Sequence, residues 1–223
     1  MQGDALELIL ISIIIAILVG VTVGLLCAVK RNKPTDYVLS TISMVGVAMP
    51  AFWLGMLLIM LVSVKLQWLP ASGFVKFSVD PIENLKSMIL PSITLGLSLA
   101  APIARQTRSA MLDALSQDYI TTAYSKGLKN KLVFWKHALR NALIPVVTSI
   151  TNQINGLIGG AFVVETVFLI PGMGKSMVDA INQRDNPVVM GLSMAVVITV
   201  VIVNLVADIL NAYIDPRITF SER

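Results

Sequence analysis

Five stretches of this chain are too long and too apolar to be left in water. The first, Leu6–Val29, has 24 residues. At about 1.5 Å per residue it reaches about 36 Å, enough to cross a hydrocarbon core of about 30 Å. It is too long for the apolar core of a signal peptide, and no cleavage site with a soluble domain follows it. Comparable runs cover 37–64, 87–104, 142–168 and 188–213. Hydrophobic residues make up 56% of the chain and charged residues 13%, where a soluble domain carries about 25% charged residues. The pattern predicts an all-α, polytopic membrane protein, with residues 1–223 as a single transmembrane domain of about five helices. It excludes a globular enzyme built around one aqueous core. The single Cys27 lies in an apolar run, so neither a disulfide framework nor a cysteine metal site is expected.

Charge then orients the spans. The turn 30–36 carries 3 Lys/Arg, the segment 105–140 carries 7, and the C-terminal tail carries 2. The remaining 5 fall in 65–86 and 169–187. Basic loops stay on the cytoplasmic side. This bias of 12 to 5 predicts the N-terminus outside, after Asp4 and Glu7, and the C-terminus in the cytoplasm. The formal net charge of +4 is thus accounted for by topology, and nucleic-acid binding is not expected.

Several spans carry irregular features. Gly20 and Gly24 form a Gly-x-x-x-Gly pair, which marks either a tight helix–helix contact or only the glycine content usual in membrane helices. Pro50 interrupts the second run and predicts a kink. The third holds Pro91 and Pro102. Trp53 and Trp68 are expected near the outer interface, and Trp135 in the basic region. The fourth span is unusually polar, with Thr148, Ser149, Thr151, Asn152, Gln153 and Asn155. Asn152 and Asn155 share a face, and Gly156 and Gly160 add a second glycine pair. Buried amides need partners, so this face (Thr148, Asn152, Asn155, Gly156, Gly160) either bonds to other helices or lines a translocation path. Residues 173–181 can form an amphipathic helix against the outer surface. Asp208 reads as a hydrated group at a helix end rather than as a proton carrier.

The segment Arg105–Arg140 is too regular for a passive connector. Asp118 is expected to cap a short helix and Gly127 to end it. That leaves a helix of roughly two turns outside the bilayer, with the small Ala123 four positions before the glycine. Such a shape suits docking into a groove on another protein.

These residues carry a family resemblance. The run Asp118–Gly127, then His137-Ala138-Leu139-Arg140-Asn141-Ala142 and Pro145, resembles the cytoplasmic coupling loop of ABC-importer permeases, most closely the oligopeptide/dipeptide/nickel branch. The general pattern is Glu-Ala-Ala, three residues, Gly, nine residues, Ile-x-Leu-Pro. Ala123, Gly127 and Leu139 keep register with it, whereas Thr121, Thr122, His137 and Arg140 depart from it. Trp68-Leu69-Pro70, residues 165–168, 171–174 and 184–187 extend the resemblance over most of the chain. It implies a type I permease fold in a prokaryotic cell membrane, with Thr121, Thr122, Ala123, Tyr124, Gly127, Leu128 and Leu139 forming the coupling element. It implies as partners ATP-binding subunits, a second permease subunit, an external solute-binding protein and membrane lipid. Peptides, nickel or related small solutes are the implied cargo. The family pattern begins with one more span and a sizeable external region, and this chain starts where the second span of that pattern would be.

Chemistry of its own is not expected. Gly174-Lys175-Ser176 invites a phosphate-loop reading, but the required glycine five residues earlier is Leu169. His137 is the only histidine and has no ligand or nucleophile partner at useful spacing. No cofactor is expected in this chain, and ATP would be bound by partner subunits. An autonomous channel or secondary transporter is the alternative, but it would need intramembrane charges that the spans hardly offer. A non-transporting scaffold leaves the polar fourth span and the coupling loop without a purpose.

Overall fold

The computed structural model describes residues 2–214. The side chains of 2–5, 154, 155, 158, 207, 208 and 210–214 lie outside the description, and with them those of Asp4, Asn155 and Asp208, as does the tail from Asp215. Among the described residues the chain is all-α. Helix α1 (Gln2–Val29) packs along α4 (Pro81–Leu115). α1 is apolar all round, so hydrophobicity does not choose its packed face. Residue size does over most of its length: Ser12, Ala16, Gly20 and Gly24 form the buried stripe, which Leu8 continues, while Leu10, Ile14 and Leu18 are exposed. A Cβ at Gly20 would lie 2.8 Å from the Ala100 carbonyl oxygen, and one at Gly24 2.5 Å from the Thr107 Cβ. From the other side, a Cβ on Gly96 would lie 3.0 Å from the Ser12 carbonyl oxygen. The first glycine pair is therefore a tight helix contact.

The second apolar run is not one kinked helix. α2 (Pro34–Ala48) and α3 (Ala51–Leu58) meet at 109°. Met49, forced out of the helical region by the proline after it, has φ −85° and ψ 121°, and Pro50 is extended too. Two successive extended residues turn the chain, where a proline inside a continuous helix would only bend it. α3 runs on into a π-helical turn, Ile59–Lys65.

α4 is longer than the expected span 87–104. It starts at a cap in which Asp80 Oδ1 accepts from the backbone N–H of Ile82 (2.9 Å) and Glu83 (3.1 Å), with Pro81 at the first helical position. It passes Pro91 and Pro102 without stopping and ends at Leu115. The first part of the 105–140 segment is thus a rigid continuation of a span rather than a loop. α5 (Asp118–Ser125), α6 (Asn130–Leu132) and a π-helical turn, Val133–Ala138, lead into α7 (Leu139–Phe168). The α7 end from Gly159 makes an angle of 71° with α8 (Met173–Asn182), and α9 (Asn186–Ile214) follows.

Among the described residues three helices are long and apolar enough to cross a membrane, Leu6–Val29, Pro81–Leu115 and Asn186–Val206, and each bent pair can supply one more. Two apolar clusters hold the bundle. One gathers Leu8, Met88, Leu95, Leu157 and Phe168. The other lies at the far end of α4 and gathers Ala28, Met111, Ile120, Val133, Ala138 and Val146.

Candidate functional site

α5 begins after Gln117, whose backbone is extended, and no side chain caps it. The expected cap, Asp118, is instead the first helical residue, placed so that its charge meets the positive helix end. The other end is as expected. Gly127 has φ +76°, the Leu128 N–H donates to the Ala123 carbonyl (3.3 Å) and the Gly127 N–H to that of Tyr124 (2.9 Å). These are the two bonds of a Schellman ending, closed by Leu128 packing on the same cluster as Ile120 and Ala123.

The helix is two-sided. Ile120 (2% exposed) and Ala123 (7%) face inward onto Val133 and Ala138 of the π-helical turn and onto Met111 and Ala114 of α4. Tyr119, Thr121, Thr122, Tyr124 and Ser125 face outward. Ala123 is therefore small because it packs on its own chain, and it is not the residue offered to a partner's groove. The Thr122 and Ser125 hydroxyls donate to carbonyls one turn back (3.0 Å each), so they present carbon and an acceptor rather than a free donor. Leu139, at the start of α7, is half-buried on the same cluster. Ala28, Ala142 and Val146 complete it, so α5, packed on the π-helical turn, shares one apolar cluster with α1, α4 and α7.

Sequence reasoning missed an ion pair beside this platform. Arg108 Nε and Nη2 donate to the two carboxylate oxygens of Asp36, each at 2.8 Å. Asp36 is 2% exposed and also accepts from the Asn32 N–H (3.0 Å) and the Ser40 hydroxyl (3.2 Å). The basic turn 30–33 and the start of α2 are thus tied to α4 about two turns before α4 ends. Nothing local signals a pairing across 72 positions. An acid beside a basic turn and an arginine at the foot of a span were the only hints.

The polar face of α7 is split by the packing. Thr151 is buried and bonds to the Val147 carbonyl (3.0 Å). Asn152 is exposed. Thr148 is half-buried and its hydroxyl donates to the Ile144 carbonyl (3.2 Å). A Cβ at Gly160 would lie 3.0 Å from Leu95, whereas one at Gly156 would meet nothing within 4 Å. Near the end of α7, Glu165 is 1% exposed and accepts from the Gly174 N–H at 2.8 Å. A side chain at Gly172 would collide with that carboxylate. The Gly174-Lys175-Ser176 turn is therefore occupied: its backbone donor is taken by Glu165, and Lys175 pairs with Asp179 at 3.0 Å.

Comparison with known proteins agrees with this architecture. A family model described as the binding-protein-dependent transport system inner membrane component matches residues 20–220. The chain is 42% identical over 219 residues to the oligopeptide transport system permease protein AppB of Bacillus subtilis (strain 168), covering 97% of this chain and 69% of AppB. It is 43% identical over 209 residues to the glutathione transport system permease protein GsiC of Escherichia coli O1:K1 / APEC, covering 94% and 66%. A chain in an inward-facing structure of the MetNI methionine ABC transporter shares the fold. The TM-score is 0.77 at 19% identity, over 96% of this chain and 94% of that one.

Proposed function

This chain belongs to the binding-protein-dependent transport system inner membrane component family, and from that premise we propose that it is the permease subunit of an ATP-driven ABC importer of peptides or related small solutes. The observation that carries the coupling step is the two-sided seat of α5. Its outward face, Tyr119, Thr121, Thr122 and Tyr124, is free to enter a groove on a separate ATPase subunit. Its inward face, Ile120 and Ala123, packs on the π-helical turn and through it shares one apolar cluster with α4 and α7, Leu128 and Leu139 among its members. Nucleotide-driven closure of the ATPases then displaces α5, and α5 displaces the two spans that flank it. Transport follows as a shift between two packings that the nucleotide biases.

On this reading the basic region 105–140 lies in the cytoplasm of a prokaryotic cell, the N-terminus outside and the C-terminus inside. An external solute-binding protein delivers the cargo. A second permease subunit covers the exposed face of α7, so that Asn152 and Gly156, with the half-buried Thr148 beside them, border a path or a subunit interface. ATP is bound and hydrolysed by the partner subunits. AppB and GsiC are named for oligopeptide and glutathione transport, which supports a peptide-like cargo; nickel draws no such support. The test is uptake of labelled tripeptide and of nickel by proteoliposomes holding this chain with its ATPases, second permease and binding protein. Peptide uptake that needs ATP is expected. ATP-dependent nickel uptake without peptide uptake would overturn the cargo, and uptake without ATPases would overturn the class.

A further inference from the structure

One face of α4 changes character along its length. Leu97, Ala101 and Ala104 give way within a turn to Arg105 and Arg108, at helical spacings that keep all five on one side. Two adjoining cavities follow this change in the cleft between α2 and α4. The first, about 260 Å³, is walled by aliphatic side chains of α1, α2 and α4 and by Gly46. The second, about 390 Å³, is lined by Arg105, Arg108, Ser40, Thr41 and Asp36. Ser43 and Ala104 belong to both walls, so the two form one groove with a greasy length and a basic mouth.

The charge at the mouth is positive despite Asp36. That carboxylate is turned into the protein and is satisfied by Arg108, the Asn32 N–H and the Ser40 hydroxyl. Arg108 spends Nε and Nη2 on it, and its side chain, 32% exposed, lines the groove with donors left over. Arg105 is exposed and has no acidic partner among the described ion pairs.

We propose that this groove binds an anionic phospholipid, its phosphate held by Arg105 and the remaining donors of Arg108 and one acyl chain laid along Leu97, Ala101 and Gly46. Guanidinium groups match phosphate oxygens in pairs, and basic pockets between membrane helices suit anionic headgroups. A helix of a partner subunit fits the mouth less well, because it would have to bring an acid to Arg105 at the one place where the groove turns polar. On the orientation proposed above the lipid belongs to the inner leaflet.

The test uses the assembled transporter, purified in mild detergent and mixed with equal amounts of phosphatidylglycerol and phosphatidylcholine of the same chain length. Native mass spectrometry counts the lipid retained. Phosphatidylglycerol is expected to be favoured by about tenfold, the factor that a charge-assisted contact readily supplies. The preference should fall toward parity in Arg105→Gln, persist in Arg105→Lys, and fall in Ser43→Phe, which blocks the junction of the two cavities. Co-purification of the ATPases checks that each variant is folded. Equal retention of both lipids, or an undiminished preference in both Arg105→Gln and Ser43→Phe, would overturn the proposal. So would displacement of the lipid by inorganic phosphate alone, or a Ser43→Cys cross-link that traps the second permease subunit in the groove.

Discussion

Single atoms decide how closely α1 and α4 approach. At Gly24 an added Cβ would press on the Thr107 side chain and the Ala104 carbonyl oxygen, the latter at 2.6 Å, and backbone cannot move aside cheaply. Gly24→Leu should therefore destabilise the bundle by about 1–3 kcal/mol, the usual cost of overpacking. Gly156→Ala, where nothing lies within 4 Å, should change the same thermal-unfolding midpoint little. Asp36 offers a second measurement. Asp36→Ala leaves Arg108 without its partner; because the guanidinium is about a third exposed and can rehydrate, the loss should be about 1–2 kcal/mol rather than the 3–5 kcal/mol of a fully buried pair. Exchanging the two as Asp36→Arg with Arg108→Asp should restore part of that stability if the pair itself is what counts.

Secondary structure distributes these contacts into working parts. α5 is two turns long, too short to be stable alone, so its position comes from the Schellman ending and from Ile120 and Ala123 on the platform. Substitutions on its two faces should then fail differently. Tyr124→Glu on the exposed face should lower peptide uptake and ATPase co-purification while leaving the permease as stable as before. Ala123→Glu puts a carboxylate into the chain's own core and should lower the unfolding midpoint as well as transport. Gly127→Val must hold a β-branched residue at φ +76°, at a cost of about 1–2 kcal/mol or more, and should loosen α5 without affecting membrane insertion. Wild-type uptake with normal ATPase binding in both Tyr124→Glu and Gly127→Val would remove α5 from the coupling path.

The assembled bundle places the basic region at one end of α4, and its side of the membrane can be tested with Lys129→Cys, an exposed position in the link after α5. In intact cells it should resist an impermeant thiol reagent and become labelled once the membrane is opened; labelling from outside would reverse the orientation proposed here. Much of this protein was legible before any coordinates. Apolar length determines which stretches can cross lipid, because a backbone inside hydrocarbon must satisfy its own hydrogen bonds. Gly127 marked the end of α5 because few other residues adopt a left-handed turn cheaply. Where spans are apolar on every side, however, the pattern carries no record of which face meets which neighbour. Tertiary packing alone decided that Gly20 and Gly24 meet α4, that Ala123 looks inward, and that Asn152 looks out. It also decided that Pro50 separates two helices at 109° and that Asp36 finds Arg108. The reason is physical: residue size and hydrogen-bonding capacity are properties of one position, whereas close approach and charge pairing belong to two positions that only the folded chain brings together.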